Sequence, residues 1–127
     1  MEQARDRLAD AQTILKTAHP AVVVSAAYYG MLYAARAALS ERGEYAKTHS
    51  GTWTLFSQVF VAPGEFDQGL SALARRAKDA REQGDYEAAP PTGEEAAEYV
   101  DGAAEFIAAI ERLLSDDGLT QDDDATP

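Results

Sequence analysis

The sequence predicts an all-α protein: an antiparallel four-helix-type bundle of about five helices. Apolar residues recur at spacings of three and four along most of the chain, which is the period of an amphipathic helix. Much of the 46% hydrophobic share is alanine, and no segment has the alternating, β-branched pattern of a strand. The length of 127 residues fits one domain. One helical core is therefore expected.

The first two predicted helices meet at His19-Pro20. The first, from about residue 2 to 18, carries an apolar stripe of Ala4, Leu8, Ala11, Leu15 and Ala18. Pro20 suits the first turn of a second helix that runs to about Arg42, where Gly43 predicts a left-handed cap. Apolar side chains cover most of the circumference of this second helix. It is expected to lie at the centre of the bundle.

The third predicted helix begins after a loop, with Ser50 as its N-cap, and it ends at Pro63-Gly64. Its apolar residues include three aromatic ones, Trp53, Phe56 and Phe60. The fourth, from about residue 66 to 83, buries a stripe of Leu70, Leu73, Ala77 and Ala80.

The fifth predicted helix opens with a capping box, because Thr92 and Glu95 stand at the N-cap and third helical positions. Its apolar face consists of Tyr99, Ala103, Phe106, Ile110 and Leu113. From Ser115 the chain turns to aspartate and glycine, too polar to form a core. The sequence thus predicts a helical domain over residues 1–114 and a disordered acidic tail over 115–127.

The net charge of −11 disfavours general binding of polyanions, so a nucleic acid would need a local basic patch. The 22 acidic residues face three lysines and eight arginines, a balance that resembles proteins of a high-salt cytoplasm. At molar salt the Debye length is about 3 Å, which screens the repulsion between these carboxylates. A halophilic source is therefore a hypothesis.

Several classes of site are excluded by the composition. The chain has no cysteine, and its two histidines are 30 positions apart, so no known metal-ligand pattern occurs and no cofactor is predicted. Phosphate-binding loops and nucleophile elbows are absent.

No stretch approaches about 20 apolar residues, and the charged N-terminus is unlike a signal peptide. A cytoplasmic protein that makes no contact with membranes is expected.

Four of the eleven cations lie within seven residues: Arg75, Arg76, Lys78 and Arg81. They could form a patch for RNA, a nucleotide or the acidic surface of a partner. Alternatively, pairs four residues apart, Arg75 with Asp79 and Lys78 with Glu82, could simply neutralise the helix surface.

The second helix offers another candidate surface. Tyr29, Tyr33 and Arg36 share a face and could stack a nucleotide, although core packing explains them equally. Gly30 costs about 1 kcal/mol relative to alanine inside a helix, which suggests close approach of another backbone. His19 is expected in an exposed loop, and His49 could bond a neighbouring helix end.

Four stretches resemble the HEPN domain family, in the branch associated with minimal nucleotidyltransferases. They are the run from Ser25 to Leu39, Lys47-Thr48-His49, the segment from Arg81 to Tyr86, and Glu105-Phe106. The resemblance spans about residues 2 to 114. It implies an antiparallel helical bundle that often dimerises and is frequently paired with a nucleotidyltransferase in toxin–antitoxin or defence systems.

Many members of this family are metal-independent RNases, with an arginine followed after four to six residues by a histidine. Histidine moves protons near neutral pH, and arginine stabilises the charge on a phosphate. By position this motif falls on Arg81 and Tyr86, where tyrosine replaces histidine; by spacing it falls on Arg42 and His49. A phenol with a pKa of about 10 is a poor proton shuttle at neutral pH.

Three functional hypotheses follow. The first is a HEPN component of a nucleotidyltransferase-linked system, homodimeric, that binds a nucleotide or a protein partner near Arg81 and Tyr86. The second is a metal-independent endoribonuclease toxin that uses Arg42 with His49, or Arg81 with Tyr86. The third is a structural helical adaptor without a ligand.

Overall fold

The structure, a computed structural model, describes residues 1–86 and 90–125, with side chains for 1–82 and 90–117. Its five α-helices are α1 Glu2–Ile14, α2 Pro20–Glu41, α3 His49–Phe56, α4 Gln68–Tyr86 and α5 Gly93–Ala125. A π-helical turn, Ser57–Val61, continues α3. The described ranges contain no strand, which confirms the predicted all-α class.

Helix α2 lies at the centre, as predicted, because it packs against each of the other four helices. Eleven of its residues are buried: Val23, Val24, Ala27, Tyr28, Gly30, Met31, Leu32, Ala34, Ala35, Ala38 and Leu39. Contrary to the sequence-based expectation, α2 has the length and composition to cross a membrane, alone among the described helices. Most of its apolar surface is nevertheless covered inside the bundle, where a core helix has the same composition.

Glycine ends α2 as the sequence predicts. Gly43 has a φ of 72°, and the amide of Glu44 donates to the carbonyl oxygen of Leu39 over 2.9 Å. The amide of Gly43 itself donates to Ser40 over 3.0 Å, completing a Schellman motif. This motif turns the chain into the loop that leads to α3.

The N-cap of α3 is Thr48, so the prediction of Ser50 was wrong. Thr48 Oγ1 accepts a hydrogen bond from the amide of Gly51 over 2.9 Å. The helix begins at His49, which places Ser50 inside the first turn, where its hydroxyl can no longer serve as the N-cap. His49 is consequently the first residue of a helix and has a fixed backbone.

An aromatic cluster joins α3 to α5. Phe56 lies 5.0 Å from Phe66 and 5.7 Å from Phe106 between ring centroids, and Trp53 lies 5.9 Å from Phe106. The cluster anchors α3 along its buried face.

In the π turn the amide of Ala62 donates to the carbonyl of Ser57, five residues back, over 2.8 Å.

The capping box of α5 is confirmed. The amide of Glu95 donates to Thr92 Oγ1, and the amide of Thr92 donates to Glu95 Oε1, each over 3.1 Å. The helix then runs to Ala125, through the segment where the sequence predicts a disordered tail. Side chains beyond Asp117 lie outside the described residues, and disorder of the tail stays a prediction.

Two glycines mark close contacts between helices. At Gly30 a Cβ atom would lie 3.4 Å from the carbonyl oxygen of Ala4, which confirms the predicted approach of another backbone. At Gly102 a Cβ atom would lie 1.9 Å from Leu73 Cδ2. The side chain of Leu73 therefore occupies the space that glycine leaves open between α4 and α5.

Candidate functional site

His49 is held by a hydrogen-bonded chain that starts in the core. Trp53 Nε1 donates to the hydroxyl oxygen of Tyr28 over 3.1 Å, and that hydroxyl lies 3.2 Å from His49 Nδ1. Trp53 is one turn beyond His49 on α3, whereas Tyr28 projects from α2 and is fully buried. The imidazole is therefore fixed at the junction of two helices.

Tyr29 connects His49 to α4. Its ring centroid lies 5.7 Å from that of His49, in an edge-on arrangement, and 5.0 Å from Arg81 Cζ. Arg81 Nε also donates to Ser25 Oγ over 3.3 Å. Arg81 and His49 thus lie against the same tyrosine ring, although 32 positions separate them in the sequence.

Three cations surround this histidine. Burial lowers the pKa of His49, and the charges of Arg36, Arg81 and Lys78 lower it further, while Glu82 opposes them. We call the surface formed by Tyr29, Arg36, His49, Lys78 and Arg81 the His49 patch. Because the pKa lies below its usual value of 6.5, His49 is neutral at neutral pH.

The cations of the patch differ in how they are partnered. Lys78 Nζ lies 2.8 Å from Glu82 Oε1, and this contact raises the pKa of Lys78 and lowers that of Glu82. This confirms one of the two predicted surface pairs. Arg36 Nε and Arg81 Nε bond hydroxyl oxygens, those of Thr52 and Ser25, over 3.3 Å each. Because a hydroxyl group carries no negative charge, these hydrogen bonds do not neutralise the two arginines.

Tyr33 extends the aromatic surface along α2. Its ring lies 5.9 Å from that of Tyr29 and is tilted by 39°. Both side chains are half-buried. The shared face predicted for Tyr29, Tyr33 and Arg36 therefore has a partly accessible edge next to the cations.

The cationic run on α4 does not form a single patch. Arg75 turns toward α3, where Nη2 donates to Ser57 Oγ over 2.6 Å and to the carbonyl of Trp53 over 3.2 Å. Arg76 lies on the side of α5, where it lines a cavity with Glu98 and Asp101. Only Lys78 and Arg81 face His49. The helix rotates by 100° per residue, which places Arg76 on a different face from Arg75, Lys78 and Arg81, while the hydrogen bonds of Arg75 direct it toward α3.

Arg42 belongs to a different contact. Its Nη2 lies 2.9 Å from Glu65 Oε1 and 3.4 Å from Asp117 Oδ2, and its Cζ lies 4.9 Å from the ring centroid of Phe60. These contacts tie the end of α2 to the start of α4 and to α5. The side chain of Tyr86 lies outside the described residues. Of the sequence-based candidates, the structure therefore brings Arg81 and His49 together, a pairing that neither spacing suggested.

A cavity away from the His49 patch has the wrong charge for a phosphate. It lies between α4 and α5, has a volume of about 620 Å³, and is lined by Asp67, Glu98, Asp101, Glu105 and Arg76 together with glycine and leucine. Its four carboxylates would repel an anion. Among the described residues no group of histidine and carboxylate side chains could hold a metal ion.

Comparisons with known proteins identify one family and several relatives. A family model described as the HEPN domain matches residues 1–113. A protein of Thermotoga maritima named "UPF0332 protein" is 31% identical over 115 residues, 90% of this chain and 87% of the relative. "Putative toxin MJ0142" of Methanocaldococcus jannaschii is 29% identical over 79% of this chain and 68% of the relative. A "UPF0332 protein" of Gloeobacter violaceus is 36% identical over 68% of each.

Proposed function

The chain belongs to the HEPN domain family, and from this premise we propose that it is a toxin-type component that binds a ribonucleotide phosphate at the His49 patch. The name of the archaeal relative supports a toxin-type role. The phosphate would belong to a free nucleotide or to an RNA chain, which present the same chemistry to the protein. Binding of AMP and of single-stranded RNA separates the two sources.

The observation that carries the proposal is the convergence of Arg81 and His49 on the Tyr29 ring. Guanidinium and imidazole groups donate hydrogen bonds to phosphate oxygens, and a tyrosine ring stacks with any base. In a chain with a net charge of −11, such a local cationic surface is what a polyanion requires. The acidic cavity between α4 and α5 offers no comparable set of groups.

Binding is tested with AMP and with a short single-stranded RNA by calorimetry in the presence of a chelator. We expect Arg81→Gln to weaken binding about tenfold or more, because a charge-assisted contact to phosphate is lost. Arg76→Gln is the matched control, since it removes the same charge from the same helix on another face. Equal affinities of the two variants, or no binding by the wild type, would refute the proposal.

A second candidate is metal-independent RNA cleavage. The unprotonated state of His49 beside Arg81 supports it, since a neutral imidazole can accept a proton while a guanidinium stabilises the charge on a phosphate. The test is incubation of concentrated protein with RNA in chelator, with His49→Gln and Arg81→Gln as variants. Cleavage that both substitutions abolish supports the enzyme. The absence of cleavage by the wild type rejects it.

We also propose that the protein forms a homodimer and pairs with a minimal nucleotidyltransferase. Family membership supports this proposal, because HEPN domains often dimerise and accompany such enzymes. Light scattering measures the oligomeric state, and co-expression with a nucleotidyltransferase encoded beside this chain tests the pairing. If the protein is a monomer, retains no nucleotidyltransferase and binds no nucleotide, the hypothesis of a structural adaptor remains.

A further inference from the structure

The direction of the hydrogen bonds around Tyr28 is fixed by the chemistry of Trp53. An indole nitrogen can only donate, so Tyr28 must use its oxygen to accept from Trp53 Nε1. The hydroxyl hydrogen of Tyr28 then still needs an acceptor. Tyr28 is fully buried, and His49 Nδ1, at 3.2 Å, is the other partner of its hydroxyl among the described residues.

From this geometry we infer that Tyr28 donates to His49 Nδ1 and so holds the imidazole in one tautomer, with its proton on Nε2. The reverse direction would leave the Tyr28 hydroxyl hydrogen buried without an acceptor, which native structures avoid. A protonated His49 would carry hydrogens on both nitrogens and could not accept from Tyr28. The hydrogen-bonded chain therefore selects the neutral ring as well as its tautomer.

The charges around His49 act in the same direction. Arg36 on α2 and both Lys78 and Arg81 on α4 oppose a further positive charge. Glu82 favours it, but its carboxylate is engaged by Lys78. The phenol of Tyr28, which faces the ring, is uncharged at neutral pH, since burial raises its pKa. Tyr29 contacts the imidazole with its aromatic ring. His49 is thus neutral in a cationic surface.

This tautomer defines what His49 does in the proposed site, and the inference rests on the proposed function. A neutral imidazole with its proton on Nε2 donates one hydrogen bond, which suits a phosphate oxygen. The same nitrogen cannot accept the proton of an attacking 2′-hydroxyl, and Nδ1 is already occupied by Tyr28. Tyr28 and Trp53 are accordingly positioning residues for a binding group, which favours binding over cleavage.

The tautomer is measured in the wild-type protein, without ligand, by long-range ¹H–¹⁵N correlation spectra of histidine-labelled protein at pH 8. We expect Nδ1 of His49 to be unprotonated and Nε2 to carry the hydrogen. His19 is the second histidine, and His19→Gln assigns the signals. A proton on Nδ1, or an even mixture of tautomers, would overturn the inference.

Two variants test the role of the phenol. Tyr28→Phe should shift His49 toward a mixture of tautomers and weaken RNA binding about threefold, because the binding group is no longer fixed. Tyr99→Phe removes a hydroxyl from a half-buried tyrosine on α5 and should change neither measurement. An unchanged tautomer in a folded Tyr28→Phe protein contradicts the inference, and if this variant does not fold, the wild-type spectrum decides.

The two proposals fail in different ways. If the tautomer is as expected but AMP and RNA do not bind, the proposed function is wrong, and with it the role of His49 toward phosphate. If RNA binds in a manner that depends on Arg81 but the proton lies on Nδ1, only the present inference is wrong.

Discussion

The guanidinium of Arg81 lies over the ring of Tyr29, with Cζ 5.0 Å from the ring centroid. The negative face of the ring attracts the cation without neutralising it, as a carboxylate would. The arginine is therefore positioned and still able to meet an anion. The same ring packs against His49 with the two ring planes nearly perpendicular, at 85°, so one side chain orients both groups.

Replacing Tyr29 should weaken the site without changing its charge. We expect Tyr29→Leu to lower the affinity for single-stranded RNA about fivefold to tenfold, because stacking and the cation–π contact are worth roughly 1 kcal/mol or more. Calorimetry measures this. Tyr99→Leu, at a half-buried position on α5, is the control. A similar loss in both variants would mean that only stability had changed.

Arg42 should matter for stability alone. Its side chain is 30% exposed and lies beside Glu65 and Asp117, so Arg42→Gln should lower the free energy of unfolding by less than about 1 kcal/mol. Urea denaturation measures this loss. In the double variant Arg42→Gln/Glu65→Gln the losses should not add fully, because both substitutions break the same ion pair. RNA affinity should stay the same. A large loss of affinity would restore Arg42 as a site residue.

The two close glycines should respond in opposite ways to alanine. Gly102→Ala places a Cβ atom against Leu73 and should destabilise the fold by about 1–3 kcal/mol. Shortening the opposing side chain in Gly102→Ala/Leu73→Ala should recover part of that loss. Gly30→Ala meets its neighbours at 3.4 Å, an ordinary contact, and should gain up to about 1 kcal/mol from helix propensity. Thermal denaturation distinguishes these outcomes.

The stability of the fold should depend on pH through His49. Its pKa is lowered in the folded state, so the unfolded chain binds more protons at mildly acidic pH. The free energy of unfolding should therefore rise with pH between the lowered folded pKa and about 6.5, by less than about 1.4 kcal/mol per pH unit. Denaturation at several pH values should show this slope in His19→Gln and lose it in His49→Gln. A slope that survives in the latter would contradict the assignment.

Salt should stabilise the folded chain if it comes from a halophile. The excess carboxylates that give the net charge of −11 repel one another in dilute buffer. About 1 M KCl reduces the Debye length to about 3 Å and screens this repulsion. The urea midpoint should then rise between 0.05 M and 1 M KCl, because the repulsion between the carboxylates is increasingly screened. Equal midpoints at both salt concentrations would remove the support for a halophilic source.

Local signals in the sequence account for most of the fold. The left-handed Gly43, the capping box of Thr92 and Glu95, and the apolar circumference of α2 each depend on neighbours in sequence, and all are confirmed. The N-cap of α3 was missed because Thr48 and Ser50 are both good N-caps, and the choice depends on where the helix begins. The π turn has no sequence signal that we recognise.

The site was harder to predict, because it depends on contacts between distant segments. Arg81 was found from its cluster and His49 from its spacing, but their common neighbour Tyr29 lies on a third helix. The sequence does not reveal the roles of Tyr28 and Trp53, because both are buried in the core, where an aromatic side chain usually serves packing alone. A helical projection of α4 separates Arg76 from the other three cations, but it leaves Arg75 on the face of Lys78. Periodicity alone cannot say which helix faces which.

The central position of α2 also sets the order in which the chain can assemble during synthesis. Helix α2 is made second, yet α4 and α5, which cover two of its faces, follow it along the chain. A nascent chain that has released only α1 and α2 can cover one side of α2 and exposes the rest. Such a chain is prone to aggregation until α5 emerges from the ribosome. The apolar surface of α2 is therefore fully buried only when the last helix, α5, has been synthesised and has packed against it.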